Sequence, residues 1–257
     1  MPGPSLAAIY LSLLVLVPLA AVLSQAFTGG VHQLFAEITQ KETFAALRLS
    51  LICSLIVVMT NAVLGTAIAW LLVRDRFALN RVIGPLVDLP FALPTVIAGV
   101  TLLSLYGPGS PFGVNLAFTR YALVVALAFV TLPFAVRSVQ PVLEALDPES
   151  EEAAASLGAS PWTTFRRVTL PSLLPAIFTG AGLGFARALG EYGSVSIISG
   201  NLPFKTEIAP VNIYGLIESD NNAGAAAESL ALFALAIVVL GVFSILKRHF
   251  IPRDPTA

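Results

Sequence analysis

Six long apolar stretches constrain the fold of this chain more than any other feature. Each holds enough apolar residues for an α-helix to cross a bilayer core about 30 Å thick, which takes roughly 20 residues. The stretches run from Leu6 to Phe27, Phe44 to Val73, Val82 to Tyr106, Tyr121 to Ser138, Leu173 to Gly200 and Ala225 to Leu246. Only 11% of the residues are charged, against about 25% in soluble domains. The sequence predicts an all-α membrane protein with six transmembrane helices.

The first stretch is predicted to be a retained helix and not a cleaved signal peptide. Its amino end, Met-Pro-Gly-Pro-Ser, lacks basic residues, and its apolar run is longer than the 7 to 15 residues of a signal core. We therefore expect residues 1–257 to form a single transmembrane domain. The sequence contains no G-x-x-x-x-G-K-[ST] phosphate loop, so an ATP-driven motor would have to be a separate chain.

Lys and Arg are distributed unequally between the segments that join the predicted spans. If the chain begins inside, nine lie in cytoplasmic segments and three in outer segments. The inner set is Arg74, Arg76, Arg81, Arg137, Arg166, Arg167, Lys247, Arg248 and Arg253, and the outer set is Lys41, Arg120 and Lys205. Because Lys and Arg are enriched in cytoplasmic loops, we expect both termini to be cytoplasmic.

Residues 144–171 form a polar segment that would then also face the cytoplasm. Asp147 followed by Pro148 is typical of a helix start, and Gly158 is typical of a helix end, because glycine adopts positive φ at little cost. Ser160 and Pro161 repeat the start signal. Local chemistry therefore predicts a helix over 148–157, a sharp corner, and a second helix running through Trp162 and Phe165 to Arg167.

The corner is expected to expose a small knob. Its members are Ala159, Pro161, Trp162 and Phe165. Aromatic residues in such a place serve as interface anchors, whereas Trp is also enriched in the lipid headgroup region. For Trp162 alone both interpretations stay open.

The spacing within this segment resembles the cytoplasmic coupling loop of ABC-importer permeases, Glu-Ala-Ala-x3-Gly-x9-Ile-x-Leu-Pro. Here Glu152-Ala153-Ala154, Gly158, Leu170 and Pro171 match, with Val168 in place of Ile. The resemblance implies a type I ABC-importer permease fold whose loop contacts an ATPase. The coupling residues it implies are Glu152, Ala153, Ala154, Gly158, Ala159, Pro161, Trp162 and Phe165.

Three further strings, at 88–99, 133–144 and 184–203, look like those of the sulfate/thiosulfate permeases of the T type and, more distantly, of the molybdate permeases. That family implies a multi-pass protein of the bacterial inner membrane, paired with a second, unlike permease subunit. It also implies two ATPase subunits that bind ATP and Mg, and a periplasmic sulfate-binding protein. Besides these proteins and membrane lipid, no cofactor in this chain and no nucleic-acid partner is implied.

Two ionisable residues in the fifth stretch are candidates for the solute pathway or the dimer seam. Arg187 and Glu191 are four residues apart and share a helix face, and ionisable groups inside a membrane mark pathways or partners. A buried structural pair is the alternative, and we favour it for Glu191. Arg187, together with Tyr192, Ser194 and backbone N–H groups near Gly190 and Gly193, would supply oxyanion donors. The two glycines are equally explained by close helix packing.

The third stretch contains two prolines, Pro90 and Pro94, which are expected to break the helix and are candidates for kinks along the pathway. Asp88 would either accept from the freed N–H groups or pair with a nearby cation. Arg48 can extend to the interface, and we assign it no role.

Several alternatives remain at this point. The loop from Asn201 to Gly224 is either a solvated loop or a docking surface for a binding protein. The same machine could carry molybdate or tungstate as a homodimer, and a proton-coupled secondary carrier would leave residues 144–171 unexplained. An enzyme is not indicated, since His32 and His249 lie on opposite sides. A lone cysteine, Cys53, excludes an internal disulfide, and no metal site is expected.

Overall fold

The computed structural model describes residues 9–74 and 80–250, and this part of the chain is helical with no β-strand. Arg76, Arg253 and residues 6–8 of the first predicted span lie outside it. The helices are α1 (Ile9–Ala26), α2 (Gly30–Ile38), α3 (Lys41–Arg74), α4 (Asn80–Ala92), α5 (Thr95–Tyr106), α6 (Arg120–Ala145), α7 (Pro148–Ser156), α8 (Pro161–Leu189), α9 (Gly193–Ile198), α10 (Ala209–Glu218) and α11 (Asn222–Phe250).

The number of membrane-crossing helices agrees with the sequence prediction. Within the described residues, five helices are long and apolar enough to cross a membrane, and α4 with α5 makes up to six. These two are bent by 117° relative to each other, so the predicted third span consists of two helices and not one. Pro94 stands at the break, as the N-cap of α5, because a proline disfavours helical backbone at the residue before it. Pro90 differs from the prediction, since it lies buried inside α4.

The fifth predicted span, Leu173–Gly200, is wrong at both ends. The helix restarted at Pro161 does not stop at Arg167 but continues to Leu189 as α8, through a π-helical segment at Phe165–Thr169. It ends at Gly190, and the last part of the predicted span is the separate helix α9. Hydropathy reports burial in lipid and not helix ends, so the apolar pattern marked only part of this helix.

Two other predicted boundaries, the end of the fourth span and the extent of the last outer loop, also differ from the structure. Helix α6 continues past the predicted end at Ser138 to Ala145, so Arg137 lies inside a helix. The predicted outer loop from Asn201 to Gly224 contains α10, which begins with a proline in its first turn. Helix α3 has 34 residues, about 50 Å at 1.5 Å per residue, and therefore extends beyond the bilayer core.

The centre of the fold is formed by α3, α6 and α8. A buried apolar cluster joins α3 to α6, and its members include Leu49, Cys53, Val57, Leu123 and Leu127. The side-chain amide of Asn61 in α3 donates to the carbonyl of Ala128 at 3.0 Å and to Thr131 Oγ1 at 2.9 Å, both in α6. In contrast, the most apolar windows of α1 and α11 are 6% and 0% buried. Much of the apolar surface of these two helices faces outward, while Val239 and Phe243 of α11 pack against α8.

Candidate coupling loop and candidate membrane pathway

The helix, corner and helix predicted for residues 144–171 are present. Asp147 Oδ1 accepts from the backbone N–H of Glu149 at 3.0 Å, and Ser160 Oγ accepts from that of Thr163 at 3.3 Å. Gly158 has φ +83°, and a Cβ there would meet nothing within 4 Å. The corner therefore needs glycine for its backbone conformation and not for lack of space.

The exposed surface of this corner differs in part from the predicted knob. Trp162 is 68% exposed, and Leu157, which sequence reasoning missed, is 89% exposed. Phe165 is instead half-buried, because its ring packs edge-on against Trp70 of α3 at 5.5 Å between centroids. Phe165 also stacks on Trp162 at 5.6 Å. The three rings form a row from the end of α3 to the corner.

A cleft of about 640 Å³ opens beside this row. Its lining comes from the corner, α7, the start of α8 and α3, and includes Trp70, Ala155, Ala159, Trp162 and Thr164. Glu151 on α7 also lines the cleft, and its neighbour Glu152 is exposed. The corner therefore offers an apolar recess beside acidic side chains, which suits a partner that presents apolar and basic residues.

The predicted pairing within the fifth span is confirmed. Arg187 Nη1 lies 2.6 Å from Glu191 Oε2, and their side chains are 31% and 1% exposed. The other oxygen of Glu191 accepts from Ser194, from the backbone N–H at 2.8 Å and from Oγ at 2.7 Å. Ser194 is fully buried, so its hydroxyl supports Glu191 instead of facing a solute in this conformation. Arg187 keeps part of its surface exposed.

Close helix packing explains one of the two glycines near this pair. A Cβ on Gly193 would lie 2.2 Å from Thr95 Oγ1 and 3.1 Å from the backbone N of Val96. A Cβ on Gly190 would have its nearest neighbour, the carbonyl of Ala186, at 3.8 Å. The start of α9 therefore packs directly on the start of α5, beside Pro94. The breaks in the third and fifth spans lie next to each other.

Tyr192 links this region to the outer segment. Its ring, half-buried, lies 5.2 Å from that of Tyr214 in α10, with the planes tilted by 44°. Glu207 precedes α10, and its burial, with a smaller effect of the Glu42 charge, raises its pKa. A docking surface for a binding protein stays one of the two interpretations of this outer segment.

Asp88 pairs with a cation, which was one of the two alternatives for it. Its Oδ1 accepts from Arg137 Nε at 2.8 Å, and Arg137 Nη2 contacts Asp88 Oδ2 and donates to the carbonyl of Gly84 at 3.1 Å. Both side chains remain substantially exposed, at 45% and 35%. The pair fixes α4 against α6.

Sequence reasoning missed a fully buried carboxylate in the last span. Glu228 is 0% exposed, and its Oε2 accepts from Asn212 Nδ2 of α10 at 2.8 Å. The contact fastens α10 to α11. An ionisable residue inside a predicted span was the signal that would have found it.

The sequence is similar to that of curated permeases along most of its length. The family described as "Binding-protein-dependent transport system inner membrane component" matches residues 61–253. The "Sulfate transport system permease protein CysT" of Synechocystis sp. is 40% identical, over 93% of this chain and 86% of the relative. Proteins of the same description from Synechococcus elongatus and Escherichia coli are 42% and 37% identical, over 93% and 94% of this chain and 88% and 90% of the relatives.

Solved structures resemble the fold at lower sequence identity. A chain of a bacterial alginate ABC transporter, in complex with an alginate pentasaccharide-bound periplasmic protein, aligns with a TM-score of 0.75 at 18% identity, over 96% of this chain and 93% of that chain. A chain of a methionine ABC transporter in an inward-facing conformation aligns with a TM-score of 0.60 at 16% identity, over 82% and 95%. At these identities the likeness concerns the fold alone.

Proposed function

The chain belongs to the family of binding-protein-dependent transport system inner membrane components, and from this premise we propose that it is a permease subunit of an ATP-driven importer of sulfate or thiosulfate. The assignment of the transported solute rests on the similarity to sulfate permeases, which are 37% to 42% identical over 93% to 94% of the chain. The subunit itself makes and breaks no covalent bond. It provides the path, and a separate ATPase supplies the energy.

The corner around Gly158 is the contact for the ATPase in this proposal. Leu157 and Trp162 are large apolar side chains held in solvent, and the adjoining cleft together with the exposed Glu152 gives a partner both apolar and ionic contacts. Such exposed anchors are stabilised once a partner covers them. Glu152, Ala153, Ala154, Ala159 and Pro161 would lie in or beside the contact, and Phe165 would support it from behind.

Helix α8 gives this contact a direct connection to the candidate pathway. It runs for 29 residues from Pro161 to Leu189, about 43 Å at 1.5 Å per residue. Its first residue lies at the corner, and Arg187 lies in its last turn. A displacement of the corner as the ATPase subunits close would therefore move the Arg187–Glu191 pair and the neighbouring breaks.

Arg187 is the residue we assign to the oxyanion. A guanidinium has five N–H donors, and the ion pair with Glu191 engages Nη1, so other donors remain for a tetrahedral dianion. Glu191 is neutralised by Arg187 and accepts two hydrogen bonds from Ser194, which reduces its repulsion of the solute. Tyr192, Pro90, Pro94 and Gly190 would shape the surroundings.

Two contacts at opposite ends of the bundle support cytoplasmic termini. Arg74 lies 3.0 Å from Glu151 of α7, so the end of α3 and the coupling corner share one side. Arg120 Nε donates to the carbonyl of Lys205 at 3.0 Å, so these two cations share the other side. The side that holds the corner is the one with the larger number of Lys and Arg, as expected for the cytoplasm.

The proposed assembly contains a second, unlike permease subunit, two ATPase subunits with ATP and Mg, and a periplasmic sulfate-binding protein. The outward apolar faces of α1 and α11 support a partner in the membrane as well as lipid contact, because such faces need an apolar cover. The outer segment with α10 is the proposed surface for the binding protein.

Cargo is tested by competition in vesicles that contain the assembled complex and labelled sulfate. We expect unlabelled sulfate and thiosulfate to suppress uptake at concentrations at least about tenfold below those of molybdate or tungstate, which corresponds to about 1.4 kcal/mol. Preferential suppression by molybdate would contradict the sulfate assignment while leaving the ABC permease in place.

A further inference from the structure

A single carboxylate oxygen joins the coupling loop to both membrane helices beside it. Glu151 Oε1 in α7 accepts from Arg74 Nη2 at 3.0 Å and from Thr169 Oγ1 at 2.7 Å. Arg74 is the last residue of α3, and Thr169 ends the π-helical segment of α8. One atom therefore holds three helices together. We name the set Glu151, Arg74 and Thr169 the latch.

The surroundings of the latch favour a persistent contact. The side chains of Arg74 and Glu151 are 24% and 23% exposed, and Thr169 is 1% exposed. The Arg74 guanidinium also lies 5.7 Å from the centre of the Trp70 ring, which attracts a cation. Because the pair is mostly withdrawn from water, salt screens it less than a surface pair. Hydrogen bonds to charged groups are also the stronger ones.

The latch matters because α7 has little else to hold its orientation. None of the nine residues of α7 is buried, so no apolar core fixes it to the bundle. Its neighbours Glu149 and Glu152 point into solvent and are exposed. Glu151 is therefore the acid of this helix that faces the protein itself.

We propose that Glu151 is a positioning residue that keeps α7 rigidly attached to α3 and α8, so that ATPase movement reaches the membrane helices. The inference rests on the proposed function as an ATP-driven importer. Without the latch, α7 keeps only its chain connections through Leu146 and the Gly158 corner and its contacts with the start of α8, so the part of the ATPase movement that reaches α7 turns this helix instead of displacing α8. Hydrolysis then continues and transport falls.

The test uses the full complex, with partner permease, ATPase subunits and sulfate-binding protein, in proteoliposomes. The measured quantity is labelled sulfate taken up per ATP hydrolysed. Glu151→Gln keeps an acceptor for Thr169 but removes the charge that pairs with Arg74, and we expect the ratio to fall about fivefold or more, the lower end of usual coupling strengths. The ATPase should still copurify at the wild-type ratio.

Two further variants separate the latch from general effects of charge or folding. Glu149→Gln makes the same charge change on the exposed face of α7 and is expected to keep the ratio within about twofold of the wild type. Glu151→Arg alone should be as uncoupled as Glu151→Gln, whereas adding Arg74→Glu restores an ion pair of opposite polarity and should recover about half of the lost ratio or more. A variant that only folds poorly loses uptake and ATP hydrolysis together, so its ratio of the two stays unchanged.

The outcomes divide cleanly. A ratio in Glu151→Gln equal to that in Glu149→Gln overturns the latch, and so does loss of the ATPase from the complex, because Glu151 would then be a docking residue. A wild-type complex that hydrolyses ATP but takes up no sulfate contradicts the proposed function instead. In that case the latch is tested by the distribution of distances between spin labels at positions 150 and 71, and this distribution should broaden in Glu151→Gln. An unchanged distribution overturns it.

Discussion

Replacing Gly158 with valine is expected to reduce sulfate uptake by the assembled importer at least about tenfold, while the membrane helices still fold. The φ of +83° at this residue is a genuine outlier for a β-branched side chain, and left-handed backbone costs roughly 1–2 kcal/mol even for simpler residues. The chain at the corner must then turn differently, which displaces Leu157 and Trp162 from the ATPase. Uptake and ATP hydrolysis are measured together on the purified complex.

The matched control for this corner is Gly158→Asn. Asparagine occupies left-handed conformations more readily than other non-glycine residues, and a Cβ at this position meets nothing within 4 Å. We expect this variant to keep most of the coupled uptake. Normal coupled uptake by the valine variant would contradict the proposal that the corner is the contact for the ATPase. Equal loss in both variants would mean that the partner surface, and not the backbone, requires glycine.

Replacing Arg187 with glutamine is expected to lower uptake at least about tenfold at saturating binding protein. The change removes the proposed oxyanion donor, but it also leaves Glu191, 1% exposed, without its cation. Breaking a buried pair in this way can cost about 3–5 kcal/mol. A loss of uptake in the single variant alone would therefore not distinguish a role in the pathway from a role in folding.

The double variant Arg187→Gln with Glu191→Gln separates the two effects. It removes both charges together, and a neutral amide at 191 keeps an acceptor for Ser194. We expect assembly and thermal stability to return close to those of the wild type while uptake remains low. Recovery of uptake in the double variant would show a structural ion pair, and the pathway role of Arg187 would be dropped.

What the sequence predicts well in this chain is local. Asp147, Gly158 and Ser160 act on backbone atoms within a few residues, so the helix, corner and helix follow from capping chemistry alone. The pairing of Arg187 with Glu191 is also local, because the two residues are four positions apart, although Glu191 lies just past the end of α8 at Gly190. Pro94 breaks the third span for an equally local reason.

What the sequence did not predict depends on contacts between distant segments. Glu151 is 77 positions from Arg74, and no periodicity relates the two. Phe165 is predicted to be exposed at the corner, because the sequence does not show that Trp70 packs against it. Helix α10 was not predicted because its segment is too short and contains too many polar residues for a membrane span. Glu228, which binds it, lies in the following predicted span.

The continuity of α8 was missed for a different reason. Pro171 and the basic pair at 166–167 suggest an interruption between the coupling loop and the span. The structure instead places a π-helical segment at Phe165–Thr169, which ends two residues before the proline and passes without a break into the rest of α8. The result is a single rod between the corner and Arg187.

The central claim is that this chain provides a path whose transport is driven by a separate ATPase. It is tested most directly by accumulation of labelled sulfate in proteoliposomes containing the chain with its partner permease, with the ATPase, ATP and binding protein omitted one at a time. We predict accumulation when all are present, loss when any one is absent, and no effect of a protonophore. Accumulation without the ATPase, driven by an imposed proton gradient, would contradict the account and identify a secondary carrier.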